Sequence, residues 1–227
     1  MTGSKMLVPA VSTVAMLAVL LGLGTWQVQR LAWKCRLLAQ IDAAELAEPI
    51  PLGDSPLPFA KVSATGRLRP DLTARYGADV RDTRSGPVAG AQLLVPLERP
   101  GAAPLLADLG WVPDHAAPPK LPAGDVTVAG YVRPAEHQSW FSATDDLAGR
   151  RFYTLDPAAI GAAIGLPSVA PFTLVALGPA PADDAPIPAE HLPQPPNNHL
   201  QYAITWYGLA AALAVIFVVF VRKGPSA

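Results

Sequence analysis

The 227-residue chain is 51% apolar but only 15% charged, with 26 prolines, one cysteine, a formal net charge of −1 and a mean hydropathy of +0.28. Soluble domains carry about 25% charged residues, so this balance argues against a soluble helical bundle, a coiled coil and a disordered polyelectrolyte. It leaves no basic footprint for nucleic acid, and the lone Cys35 rules out an intrachain disulfide or a Cys-based zinc cluster.

After a short N-terminus (1–5), residues 6–26 run from Met6 to Trp26 without a formal charge. As a helix, 21 residues rise ~31 Å, enough for a hydrocarbon core of ~30 Å. A cleaved signal peptide is the alternative, since Lys5 precedes the run and Gly22 and Gly24 lie near its end. Against it, the apolar stretch exceeds the usual ~7–15 residues and no A-x-A site follows. The run fits no transit peptide either, which favours a bacterial chain.

Residues 27–48 continue as a helical stalk, with Leu31, Cys35, Leu38 and Ile41 in a partial apolar stripe that Pro49 and Pro51 end. From 49 to 177 the pattern changes to strands. KVSATGRLR and DVTVAGYVR alternate, and 91–97, 105–112 and 170–177 are shorter apolar runs between Pro, Gly and Asp clusters. One short helix is expected where Asp156 caps Pro157 and AAIGAAIG. The fold class is therefore a membrane-anchored α+β protein, with two transmembrane helices flanking a mostly antiparallel β domain. Seven prolines between Gly178 and Pro196 predict an extended tether over 178–198. His199–Val221 then forms a second span of ~34 Å, stopped by Arg222 and Lys223 at the head of the 222–227 tail.

All 18 acidic residues fall between Asp42 and Glu190, against 11 bases, so the middle carries −7. The other six bases flank the spans, where they can meet anionic headgroups of the lipid bilayer. Counted for the positive-inside rule they tie at three against three, so composition leaves the side of the middle domain open.

Enzyme signatures (G-x-S-x-G, P-loop, dinucleotide fingerprint, H-E-x-x-H) are absent, and the four histidines show no metal-ligand spacing. Asp145-Asp146 and Asp183-Asp184 read as solvated turns, and Arg150-Arg151 as a surface pair or sheet-edge charge. His199 opens the second span with Tyr202 and Trp206 on its face. These residues form either an interfacial belt or a site in which the imidazole ligates haem iron beside aromatic rings. Trp26, Arg30 and Trp33 follow i, i+4, i+7 spacing at the first span, with Gln27 nearby. Arg30 either snorkels to lipid phosphate or pairs with a carboxylate such as a haem propionate.

LGTWQVQRLAWKCRLL (23–38) and NNHLQYAITWYGLA (197–210) resemble the two end signatures of the Surfeit locus protein 1 family. VSATGRL, LVPLERPG, LGWVP, VAGYVRP and RFYTLDPAAI resemble its intervening landmarks in order, with Leu109 where the family has arginine. The resemblance implies a non-enzymatic assembly factor for a haem-copper terminal oxidase of the cytochrome c oxidase type. Its domain would be periplasmic, anchored as a multi-pass protein of the bacterial inner membrane. It further implies haem a as cofactor, with His199 as the iron (metal) ligand and Trp206 at the family's tryptophan position; the spacing adds Tyr202, Trp26 and Arg30 as candidate haem-binding residues. The oxidase catalytic subunit and haem a synthase are the implied partners. Gly110 and Trp111 are fold markers on this reading. A protein-only scaffold that holds the oxidase subunit without haem is the alternative.

Overall fold

The computed structural model describes residues 3–83, 86–179 and 186–223. The chain divides into two compact units, 1–40 with 194–227, and 41–193. The elements in order are α1 (Gly3–Leu46), β1 (Ile50–Pro51), β2 (Lys61–Leu68), a 3-10 turn (Pro70–Leu72), β3 (Ala74–Thr83), β4 (Gly86–Glu98) and β5 (Leu105–Pro113). There follow β6 (Asp125–Pro134), β7 (Arg151–Phe152), α2 (Pro157–Ala163), β8 (Phe172–Ala176) and α3 (His199–Lys223).

In the 41–193 unit the strands close on themselves. β2 pairs with β6, β6 with β8, β8 with β5 and β5 with β4, and β4 returns to β2 through Arg67–Glu98 and Leu68–Leu97. The result is a small five-stranded barrel, mostly antiparallel, with β5–β8 the one parallel seam in the ring. Strand alternation decides what fills it. In β4, Leu93, Val95 and Leu97 point inward to join Val62, Ala64, Leu105, Ala107, Val132 and Leu174, while Leu94 faces out. β3 extends the sheet along the outer part of β4, and β7 lies parallel at its edge.

The outward residues make a second core. Leu94 of β4, Leu106 of β5, Ala74 of β3 and Phe152 of β7 meet Leu155, Ile160 and Ile164, all buried. α2 is thus a plug over the barrel wall, and its expected start is observed: the Asp156 carboxylate accepts from Ala158 N (3.0 Å) and Ala159 N (3.2 Å), with Pro157 at the first helical position. Asp156→Ala should remove about 1 kcal/mol of stability. A denaturant midpoint shifted down with unchanged slope is the expected readout.

Three sequence readings change. β3 was not anticipated; its exposed, charged stretch ADVRDT and Gly77 mask the strand pattern. The stalk continues the first helix as read, α1 running unbroken to Leu46, but it does not stand apart from the barrel. Its last turns belong to the barrel unit: Ile41 is 1% exposed, and the Glu45 carboxylate accepts from Leu192 N at 2.8 Å. The Pro-rich stretch is a tether only in part. Ile187 exchanges backbone bonds with Trp111 (2.9 and 2.8 Å), and Ala189 does so with Ala176 and Gly178 (3.1 Å each). The physical reason is alternation: Pro186 and Pro188 lack an N–H, but the residues between and after them donate to the sheet edge. Leu192 is buried behind them. Asp183-Asp184 lie outside the described residues.

Candidate functional site

The 1–40 and 194–227 unit contains two helices long and apolar enough to cross a membrane, with stretches of mean hydropathy 2.3 and 2.4. They lie antiparallel: Cys35 meets Asn197, Gln27 meets His199, and Thr25 meets Tyr207. Each offers a seam at 4-3-4 spacing. On α1 it is Leu20, Gly24, Gln27 and Leu31; on α3 it is His199, Ala203, Trp206 and Ala210, all buried or half-buried. Such small residues let helices approach without a hydrophobic drive between them. Gly24 shows this directly, since the Tyr207 ring occupies the space a Cβ there would take.

Polar groups occur where this seam begins on α3. His199 Nδ1 is 2.7 Å from Gln27 Oε1, and Gln27 is only 9% exposed. With the Gln27 carbonyl oxygen accepting, Nδ1 carries the proton and Nε2 keeps its lone pair. A histidine ligand is oriented in this way, one nitrogen tied to a fixed acceptor and the other free to bind a metal. Two residues before it, Asn197 Oδ1 is buried without a partner among the described residues, while Asn197 Nδ2 reaches Cys35 Sγ at 3.6 Å. An acceptor left so in an apolar setting costs about 1–3 kcal/mol, which a ligand donor would relieve.

The second feature is the flank of α1. The Arg30 guanidinium lies 5.7 Å from the Trp26 ring centroid and 5.4 Å from that of Trp33, and all three side chains are exposed. The i, i+4, i+7 spacing is sufficient to build this stack. Among the described residues no bond joins Arg30 to His199. On the α1 wheel Arg30 is about 60° round from Gln27, so the stack borders the seam rather than entering it. Tyr202 is 54% exposed and Trp206 is half-buried.

The structure thus pairs His199 with Gln27, and Arg30 with Trp26 and Trp33. Gln27 and Asn197 are the residues that sequence reading left outside the site. Their signal was available, as amides embedded beside long apolar runs.

The donor set fits a haem: one imidazole of fixed tautomer, an unsatisfied amide acceptor, aromatic side chains and an arginine able to meet a carboxylate. By contrast the Asp145 and Asp146 carboxylates accept from Tyr153 N (2.7 Å) and Gly149 N (2.9 Å), as turn-forming acids do. Among the described residues no group of three or more His, Cys, Asp or Glu could hold a metal ion.

A family model described as the SURF1 family matches residues 14–211. Surfeit locus protein 1 of Mus musculus is 30% identical over 226 residues, spanning 90% of this chain and 73% of its own length. The Homo sapiens protein of that name is 30% identical over 228 residues, spanning 90% and 75%. A SURF1-like protein of Rickettsia felis is 28% identical over 217 residues, spanning 90% and 93%. The matched interval takes in both halves of the helix seam and the whole barrel unit.

Proposed function

This chain belongs to the SURF1 family, and we propose that it is a membrane-anchored assembly factor that holds haem a for a haem-copper terminal oxidase. The family is one of cytochrome oxidase assembly factors. The observation that carries the haem reading is the Gln27–His199 pair at the helix seam.

In this reading Gln27 holds the His199 ring by its Nδ1 proton and leaves Nε2 with its lone pair free for a ligand. His199 is the iron ligand, and Tyr202 and Trp206 follow it on α3 as aromatic neighbours. Trp26 and Trp33 hold the Arg30 guanidinium at the seam's border, where it would pair with a haem carboxylate. Bound haem supplies a redox-active iron that the oxidase requires, and the chain's own task is to bind and release it. A single histidine with one amide behind it suits release better than a closed two-ligand site. This is binding work rather than catalysis. The oxidase catalytic subunit receives the haem, haem a synthase is its source, and the lipid bilayer holds both spans. The protein resides in the bacterial inner membrane with the 41–193 unit on the periplasmic side, a reading that rests on family membership.

Protein purified from cells making haem a should show a Soret band. His199→Ala should abolish it, and Gln27→Leu should weaken haem affinity about 10–100-fold, as loss of a ligand's orienting partner does. Unaltered melting of the barrel unit in both variants separates a lost ligand from a lost fold. An unchanged Soret band and unchanged oxidase haem content in His199→Ala would leave the protein as a haem-free scaffold.

A further inference from the structure

The Arg150-Arg151 pair divides between two tasks. Arg151 is committed to the sheet edge: its Nη1 donates to both Asp114 carboxylate oxygens at 3.0 Å, and its Nε donates to Gly77 O at 3.1 Å. Arg75 of β3 donates to Asp114 Oδ1 from Nη1 alone, at 3.0 Å. Two guanidiniums thus share one carboxylate, whose acidity is raised: burial alone would push its pKa up, and Arg151 and Arg75 bring it below the usual value. Arg150 donates only from Nη1, to the Asp71 carbonyl at 3.0 Å. Among the described residues, Nε and Nη2 of both Arg75 and Arg150 have no partner.

Arg75 and Arg150 line one recess of about 250 Å³. Its other walls include Thr73, Pro118, Pro119 and Leu121, and no carboxylate lines it. The nearby acids already have partners, and Asp71 also feels the Arg150 charge. Asp71 is bound by Arg69, Asp114 is shared by Arg75 and Arg151, and Asp146 accepts from Gly149 N. Beside the recess, one carboxylate, Asp114, answers the two guanidiniums of Arg75 and Arg151. Arg150 also sits in the left-handed region, φ 51°, a conformation that non-glycine residues adopt at a cost of about 1–3 kcal/mol. Glycine would be free of that cost, and a surface arginine needs no such backbone. The tight turn that closes the Asp146–Arg151 bridge sets this backbone, and the Nη1 bond to the Asp71 carbonyl holds the guanidinium.

We propose that this recess binds a small organic carboxylate through Arg75 and Arg150, with its apolar part against Pro118, Pro119 and Leu121. The free Nε and Nη2 groups form the fork that accepts a carboxylate two bonds at a time. The prolines and Leu121 are preorganised apolar walls that a bare inorganic anion cannot use. The volume is just below that of pockets for drug-sized ligands, about 300–1,000 Å³, which limits the ligand to a few carbons beyond the carboxylate. The site is independent of the helix seam and of the proposed haem role.

Butyrate and inorganic phosphate are the probes, titrated at constant ionic strength into the full chain in lipid nanodiscs. Butyrate should move the side-chain Nε–Hε NMR signals of Arg75 and Arg150 along one saturating curve and raise the melting temperature in parallel. Phosphate should bind more weakly. Arg150→Gly removes the whole side chain at a backbone that suits glycine, and Arg150→Gln keeps the methylenes while removing the charge; both should raise the butyrate dissociation constant at least tenfold, with Arg150→Gly melting no lower than Arg150→Gln. Arg67→Gln, on an exposed part of β2, should leave binding unchanged. Phosphate binding more tightly than butyrate would overturn the assignment of ligand class. Non-saturating shifts, or shifts equal in the Arg150 variants, would overturn the site itself.

Discussion

Gly110→Ala is expected to destabilise the barrel unit by about 3 kcal/mol or more, lowering its melting temperature by roughly 6–12 °C. Gly110 has φ +119°, beyond the left-handed well that other residues can visit, so a side chain is strained there whatever the space. There is also no space. A Cβ on Gly110 would run into the backbone carbonyl of Ile187 and the nitrogen of Pro188. That carbonyl accepts from Trp111 N at 2.8 Å, and Ile187 N donates back to Trp111 O at 2.9 Å. The clash therefore falls on the pair of bonds that seats the 187–189 segment on β5. Gly124, at φ +88°, has open space where its Cβ would be. Gly124→Ala should then cost only the backbone strain, about 1 kcal/mol. Hydrogen exchange separates the two effects: Trp111 and Ile187 amides should lose protection in the Gly110 variant and keep it in the Gly124 variant. Equal melting losses would mean that the close approach of the two backbones carries no energy.

The Gly110-Trp111 corner shows how far the sequence could be read. Its packing role was legible, and Trp111 is indeed 2% exposed, with the Arg81 guanidinium 5.3 Å from its ring. What it packs was not legible, because Ile187 is 76 positions away in a run of prolines that reads as a tether. Local patterns behaved similarly elsewhere. The alternation in β2 and β6, the Asp156-Pro157 start of α2 and the two apolar spans are short-range signals, and each element is present. Barrel closure depends on two residue pairs between β2 and β4, and no periodicity encodes a pairing. Leu109, where the family pattern has arginine, illustrates the same limit. It packs against the barrel interior cluster, a contact visible only once the ring is closed. At the helix seam, spacing was enough to stack Arg30 between Trp26 and Trp33. The Gln27–His199 bond joins residues 172 apart and depends on the antiparallel register of the spans.

Asp108→Asn is expected to stabilise the protein at pH 7.5, by roughly 2–3 kcal/mol if the whole penalty of the buried acid is removed. Asp108 is 2% exposed on β5, and its carboxylate accepts from Gly110 N at 3.0 Å. Burial pushes its pKa up to about 6, against the opposing pull of the Gly110 N–H and the Arg133 and Arg81 charges. The sign follows from proton counting. In the unfolded chain the group titrates near 4, so between about pH 4 and 6 the folded state binds the extra proton. Stability from this group therefore falls as pH rises through that window, and above it the penalty is constant. Glu45, Asp71, Asp114 and Glu136 have pKa values lowered on folding, and they contribute the opposite slope, losing stability as pH falls. The total curve mixes both signs, so only the difference between variant and wild type isolates Asp108. That difference should be large at pH 7.5 and close as pH approaches 4, because asparagine imitates the protonated acid and keeps an oxygen for Gly110 N. A variant less stable at pH 7.5 would show instead that the ionised carboxylate is held by Arg133 and Arg81, and that burial does not dominate at this position.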